Sequence, residues 1–339
     1  MGSFPYEHEG EHVSELSTAT EAYRPEPRDL IGYGRHGPTV TWPGRARIAV
    51  NVVVNYEEGS EYGAEPGDLE VEPPPELGYP SSTHDLATES IYDYGSRAGI
   101  WRLQRMLDDY GLPATFFGCA RAFELNPEVG AYIQEAGHDV CAHGWRWEKI
   151  STLAPEVERE HIALAVDSIA RTCGTRPYGW YSRAPRSKHT RELLQEEGGF
   201  VYDSESFADD LPYTVDVRGR SSLVIPYTFV TNDSKFAPGQ SFSSAVSFLD
   251  DCRRAFDCLY REGEHSPKML TIGLHSRIIG QPARAEALRD LLEHMLRHEG
   301  VWFARRIDIA HWWLSEVERT PLQADASLSR LLQAARPLV

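Results

Sequence analysis

The feature that most constrains this chain is the apolar run Ile48-Ala49-Val50-Asn51-Val52-Val53-Val54, followed at once by Asn55-Tyr56-Glu57-Glu58-Gly59. A β-branched run of this kind reads as a strand buried on both faces, the pattern of a parallel sheet with covered sides. Glu57 and Glu58 then fall just past its carboxyl end, where parallel α/β folds keep their chemistry. Two adjacent carboxylates repel, and if they are buried at least one pKa rises toward the range of a proton-transfer group. A solvated acidic turn is the plainer alternative, and the rest of the chain has to decide between them.

Downstream, strand and helix alternate. A helix over residues 97–110 precedes the strand 114–117, a helix closing at Gly137 precedes 138–142, and a helix over 155–173 precedes 177–181. The alternation continues through a helix at 189–197, strands at 200–202 and 223–225, a helix at 245–261, a strand at 269–274, a helix at 282–298, a strand at 301–304 and a last helix through Trp313. Such alternation implies right-handed crossovers and a parallel sheet, and seven or eight repeats favour a closed or nearly closed barrel over an open doubly wound sheet. The expected organisation is an N-terminal arm over 1–28, a single (β/α) barrel domain over 29–320 and a C-terminal tail over 321–339. A long acidic loop over 60–85 is a lid, an interface element or disordered chain, and composition does not separate the three.

A formal net charge of -17 argues against nucleic acid or an anionic membrane surface as partner, since either would meet a repulsive long-range field. No apolar run reaches the length of a membrane span, and the acidic, proline-bearing N-terminus lacks the apolar core of a signal peptide. The five scattered cysteines, Cys119, Cys141, Cys173, Cys252 and Cys258, suit reduced thiols in a cytoplasmic protein rather than a disulfide framework.

A barrel sorts chemistry to the strand ends. There stand Asn55, Glu57 and Glu58; His143-Gly144-Trp145-Arg146-Trp147; Trp180-Tyr181-Ser182-Arg183; Asp203 with Glu205; Asn232-Asp233; and His275-Ser276-Arg277. Singly, each has an ordinary use: a core histidine, a rim arginine, an Asp helix cap. Convergence of all of them on one mouth is the stronger expectation.

These motifs resemble the polysaccharide deacetylase (NodB-homology) superfamily, a distorted (β/α) barrel, and within it the allantoinase-like branch. The resemblance runs from Arg28-Asp29-Leu30-Ile31-Gly32-Tyr33-Gly34 to Arg306-Ile307-Asp308-Ile309-Ala310. It rests on Asn55-Tyr56-Glu57-Glu58-Gly59, Glu89-Ser90-Ile91-Tyr92, Tyr94-Gly95-Ser96-Arg97, His143 to Trp147, Glu196-Glu197-Gly198-Gly199-Phe200, Asp209-Asp210-Leu211-Pro212-Tyr213 and Ile272-Gly273-Leu274-His275-Ser276-Arg277. Sugar deacetylases of the superfamily carry two aspartates at the first strand end and a His-x-x-x-His pair that completes a metal site. Here the aspartates are Glu57 and Glu58, and the second histidine is Trp147. A zinc site wants at least three protein ligands, and Glu58 with His143 supplies two. Indole carries no lone pair to donate, so the expectation is no cofactor, with one Zn2+ as the alternative if His84, Asp203 or His275 adds a ligand. At Trp180-Tyr181-Ser182-Arg183-Ala184-Pro185-Arg186 the continuation departs from the allantoinase pattern and partly matches the arginine motif of sugar deacetylases.

What the resemblance implies is a hydrolase opening a C–N bond of a small cyclic ureide or imide. Glu57, beside a Glu58 that raises its pKa, is the expected base; His275 is the first choice of general acid and His143 of holder of water or oxyanion, with the exchange of these two roles between the histidines left open. Arg97, Arg183 and Arg277 are candidates to hold ureide oxygens, Trp145 or Trp147 to stack on a flat ring, and Trp180 and Asp203 to contact substrate. A metal-dependent N-deacetylase of an amino sugar or acylated small molecule, and a barrel that binds without catalysis, are the competing readings. The branch also implies a homotetramer.

Overall fold

The computed structural model describes residues 28–63, 67, 68, 71, 72 and 86–334, with the side chain of Thr88 excepted. The chain divides into two units, Met1–Gly32 and Tyr33–Val339. Of the first, residues 28–32 form a turn in which Asp29 Oδ1 accepts the N–H of Ile31 and of Gly32. The N-terminal arm, most of the acidic loop, His84 and the last five tail residues lie outside the described residues.

The second unit is built on one nine-stranded sheet. Its strands are β1 (Ile48–Tyr56), β2 (Ala114–Gly118), β3 (Asp139–Ala142), β4 (Gly179–Trp180), β5 (Tyr202–Asp203), β6 (Tyr213–Val217), β7 (Arg220–Val224), β8 (Lys268–His275) and β9 (Val301–Phe303). The order is β6-β7-β5-β4-β3-β2-β1-β8, every pairing parallel except β6 with β7. β8 covers one edge of β1 from Ile48 to Asn55, so β9 and β2 share the other, β9 along Ile48–Val50 and β2 from Val52 onward. The sheet curls into a half-barrel, and beyond β8 a single bridge from Asn232 to Gly273 continues it. Among the described residues, no helix is long and apolar enough to cross a membrane.

Helices between the strands are α1 (Leu86–Tyr94), α2 (Ile100–Tyr110), α3 (Ala120–Leu125), α4 (Pro127–Ala136), α5 (Pro155–Cys173), α6 (Thr190–Glu197), α7 (Ala245–Glu262), α8 (Ser276–Ile279), α9 (Pro282–Leu296), α10 (Arg306–Trp312) and α11 (Ala326–Gln333). Local chemistry sets their limits. α5 opens with Pro155 in its first turn and stops at Gly174, whose φ of 71° is the left-handed cap a side chain resists. The helix expected over 97–110 is longer and interrupted: α1 and α2 are joined through a π-helical turn at Gly95–Gly99. The hairpin β6–β7 was not foreseen. Its signal is the pair Arg218-Gly219, both at positive φ (52° and 80°), which makes the two-residue turn that matches strand twist.

Side-chain parity divides the interior. On β1, Ile48, Val50, Val52, Val54 and Tyr56 face the helices in one apolar cluster, while Ala49 and Val53 face the barrel interior in another. β8 repeats this: Leu270, Ile272 and Leu274 point out, Met269 in. Between these apolar positions the inward-facing Asn51 and Thr271 reach the fully buried Arg306, which lies over the rings of Phe117 and Tyr227. Its guanidinium donates to Asn51 Oδ1 (3.1 Å), Thr271 Oγ1 (3.2 Å), Ser204 Oγ (3.1 Å) and the carbonyls of Ile225 and Pro226. These bonds tie β1, β8 and the 225–226 segment across the open side of the half-barrel and offset the cost of burying the charge.

Candidate active site

Parity continued past β1 sends Glu57 into the mouth and Glu58 toward the helices. Both are buried, 1% and 3% exposed. Glu57 Oε1 is approached by two imidazoles, His143 Nε2 at 3.2 Å and His275 Nε2 at 3.6 Å, and Glu57 Oε2 accepts Arg277 Nη1 at 2.7 Å. His143 follows β3 and His275 ends β8, on the inner faces of strands that flank β2 and β1.

Each imidazole is oriented from behind. His143 Nδ1 donates to the carbonyl of Tyr181 (2.6 Å), and the Tyr181 ring stacks on it with centroids 5.1 Å apart. Since a carbonyl cannot donate, Nδ1 carries the proton of that bond, and Nε2 is the ring atom turned to Glu57. His275 Nδ1 donates to Asp233 Oδ1 (2.6 Å), while Asp233 Oδ2 accepts the N–H of His275 (2.8 Å) and of Ile279 (3.1 Å). Burial works against charge on His275, but Asp233 and Glu57 outweigh it and the net shift is upward.

The two glutamates diverge, though not as expected from repulsion alone. Burial pushes Glu57 up, yet Arg277, His275 and His143 together hold it well below the usual carboxylate range. Glu58 is the one raised, by burial first. Its Oε1 accepts from Ser276 Oγ (2.5 Å) and the Arg277 N–H (3.2 Å), and its Oε2 accepts the Glu57 N–H (3.0 Å). The π-helical turn passes directly over it. A Cβ on Gly95 would collide with Glu58 Oε1, and one on Gly99 with the Ser276 carbonyl, which is why small residues stand there. Glu58 is therefore a buried prop for the first residues of α8, which carries Arg277, outside the mouth.

The other sequence candidates separate cleanly. Arg277 lies over the rings of Tyr92 (4.8 Å) and Trp147 (5.4 Å), so it and Trp147 belong to the cluster. Arg183 stands 4.1 Å over the Trp147 ring and donates to the Trp147 carbonyl (3.1 Å) and to Glu72 (2.8 Å). The stacking place proposed for a flat ring on Trp147 is thus taken on one face by a guanidinium. Trp145 packs instead on His161, with centroids 5.0 Å apart. Trp180 is fully buried among the helices, its Nε1 bonded to Ser182. Asp203 is paired through both oxygens with Arg191 (3.0 and 3.2 Å), and Arg97 is exposed on the π-helical turn. These four do not reach Glu57. Tyr181 and Asp233, expected at the strand ends without an assigned chemical role, do reach the cluster, and so does Tyr92.

The donors at Glu57 do not suit a zinc ion. Glu58, one of the two ligands carried over, is already occupied on both oxygens, and a guanidinium sits where a cation would compete. Among the described residues, the group of three ligating side chains that do come together is elsewhere, at Asp257, His294 and His298.

Comparison with known proteins agrees with this architecture. Residues 83–200 match the family model described as polysaccharide deacetylase. A Schizosaccharomyces pombe protein assigned as a polysaccharide deacetylase is 37% identical over 313 residues, covering 85% of this chain and 97% of that protein. The crystal structure of Puue allantoinase is 43% identical with a TM-score of 0.82, covering 86% of this chain and 98% of that one. The structure of a probable polysaccharide deacetylase from Pseudomonas aeruginosa PAO1 is as similar, at 44% identity and a TM-score of 0.82, covering 88% of this chain and 100% of that one. The chain belongs to the polysaccharide deacetylase family, hydrolases of carbon–nitrogen bonds other than peptide bonds.

Proposed function

We propose that this protein hydrolyses a ring amide bond of a small cyclic ureide or imide, with a carboxylate and two imidazoles and without a metal. The observation that carries the reading is the approach of two imidazole Nε2 atoms, at 3.2 and 3.6 Å, to one buried oxygen, Glu57 Oε1. Water held at that oxygen attacks the ring carbonyl carbon and gives its proton to Glu57. The C–N bond breaks as His275 Nε2 gives a proton to the departing nitrogen, and Glu57 returns the proton to His275. Water is thereby added across the bond with no proton left over. Asp233, by raising His275, favours the protonated form the leaving nitrogen needs. The Arg277 ion pair weakens Glu57 as a base, so a substrate oxygen that draws the guanidinium away restores its basicity at the moment of attack.

A small substrate is favoured by what surrounds the cluster. From Glu57 the contacts run to Arg277, Trp147, Arg183 and Glu72, so Glu72 is held close to the chemistry. Arg146 adds a second tie, to Asp68 at 2.6 Å, and the Trp147 N–H bonds the Ser60 carbonyl. A site hemmed by Trp147, Arg183 and Glu72 suits a small ring better than a polymer chain, which weighs against the sugar deacetylase alternative. Burial and contact of the glutamates weigh against a barrel without catalysis.

The test is a hydrolysis screen of allantoin, hydantoins and cyclic imides before and after chelation, with wild type and Glu57→Gln. Turnover that survives chelation and drops at least a hundredfold in Glu57→Gln is the expected result. Chelator-sensitive cleavage of an acetylated amino sugar would overturn it.

A further inference from the structure

Away from the mouth, α7, the last turn of α9 and the turn that follows it bring together Asp257, His294 and His298, one ligating atom of each within 4.8 Å of the others. α9 leads directly into the start of β9, so this cluster lies at the amino ends of the strands, the opposite end of the barrel from Glu57. We propose that it is a second site, which takes a divalent transition metal of zinc type and cross-links α7 to the end of α9.

The donor set fits that class: two imidazoles and one carboxylate are ligands of borderline softness, and a water completes four-coordination. His294 stands in the last turn of α9 and His298 just past its end at Leu296, and their rings come together with centroids 4.8 Å apart. His294 Nε2 already meets Asp257 Oδ1 at 2.7 Å. Ligands on tetrahedral zinc are roughly 3.3 Å apart, so no pair has to close by more than about 1.5 Å, a shift within reach of side-chain torsions.

The imidazoles are also supported as metal ligands are. His298 Nδ1 bonds the carbonyl of His294 (2.9 Å), the kind of outer bond that fixes a ligating ring. The fully buried Phe256 holds both rings edge-on, with centroids at 5.7 and 5.1 Å, and Tyr260 holds His298 at 4.9 Å. A chain of net charge -17 adds a favourable field for any dication.

The experiment uses the full chain, stripped with chelator and titrated with Zn2+ by calorimetry and by thermal unfolding. Wild type is expected to take up one zinc ion and to gain about 5 °C at a hundredfold excess of zinc over its dissociation constant. His298→Ala and Asp257→Asn should each weaken uptake at least tenfold, while Asp257→Asn keeps the fold and both leave hydrolysis unchanged. His143→Ala, at the other end of the barrel, should bind zinc as wild type does. No uptake by wild type, or uptake undiminished in both His298→Ala and Asp257→Asn, would overturn the site.

Discussion

The guanidinium of Arg277 stands 2.7 Å from the Glu57 carboxylate, with both side chains almost wholly withdrawn from water, and 4.0 Å from Glu58. It is the strongest of the counter-charges that hold Glu57 down, and it lies within reach of Glu58 as well. Removing it leaves the buried Glu57 without its ion-pair partner in a low-dielectric site, which costs about 3–5 kcal/mol. Arg277→Ala should show that loss as a lower urea midpoint at pH 8. Because Glu57 is also freed to take up a proton, the loss should shrink as the pH is lowered toward 5. A variant as stable as wild type at pH 8 would show that the guanidinium does not hold the pair.

A second carboxylate shows the opposite behaviour. Glu205 accepts the Ser182 N–H at 2.6 Å, and burial pushes its pKa up from 4.5 to about 7. The folded state holds its proton more tightly than the unfolded chain does. Its contribution is present below pH 4.5 and lost as the pH rises through about 7. Glu205→Gln keeps an acceptor for Ser182 but carries no charge to bury. It should be more stable than wild type at pH 8, by on the order of 1–2 kcal/mol, and no better at pH 4. Denaturant midpoints at the two pH values decide it.

What was readable in the sequence follows the parity of the strands. Glu57, His143 and His275 were placed by counting past the ends of strands whose apolar pattern was plain. Trp180 was misplaced because β4 is only two residues long, too short for alternation to show that Trp180 turns outward and Tyr181 inward. Asp233 sits in a short turn, Asp233–Phe236, where Asp reads as a helix cap. The capping is done by Asn232, whose side chain accepts the Ser234 N–H at 2.9 Å, which frees Asp233 for His275. The pairings of Asp203 with Arg191 and of Arg183 with Glu72 join residues 12 and 111 positions apart, and no local pattern announces them.

Arg183 links Trp147 to Glu72. It lies on Trp147 and holds Glu72, so it acts on access and on the position of the ring rather than on proton transfer. Arg183→Ala should raise KM about tenfold while changing kcat much less, the signature of lost ground-state binding. Glu72→Gln should reproduce a smaller part of the same effect, since a neutral amide still accepts from the guanidinium. Equal falls in kcat and kcat/KM would instead put Arg183 in the chemical step.

Asp233 gives the sharpest test of the proton inventory. Its bond to His275 Nδ1 at 2.6 Å is among the interactions that raise the imidazole above its usual 6.5. If protonated His275 is the acid, the rate falls as the pH rises through that raised value, which forms the alkaline limb of the profile. Asp233→Asn removes the charge but keeps a side chain able to bond the ring, so the limb should move to lower pH and the plateau rate should drop. Glu57 is untouched by this change, and any acid limb that it sets should stay where it is. A profile of kcat/KM against pH in which the alkaline limb does not move would assign that limb to another group and take the acid role from His275.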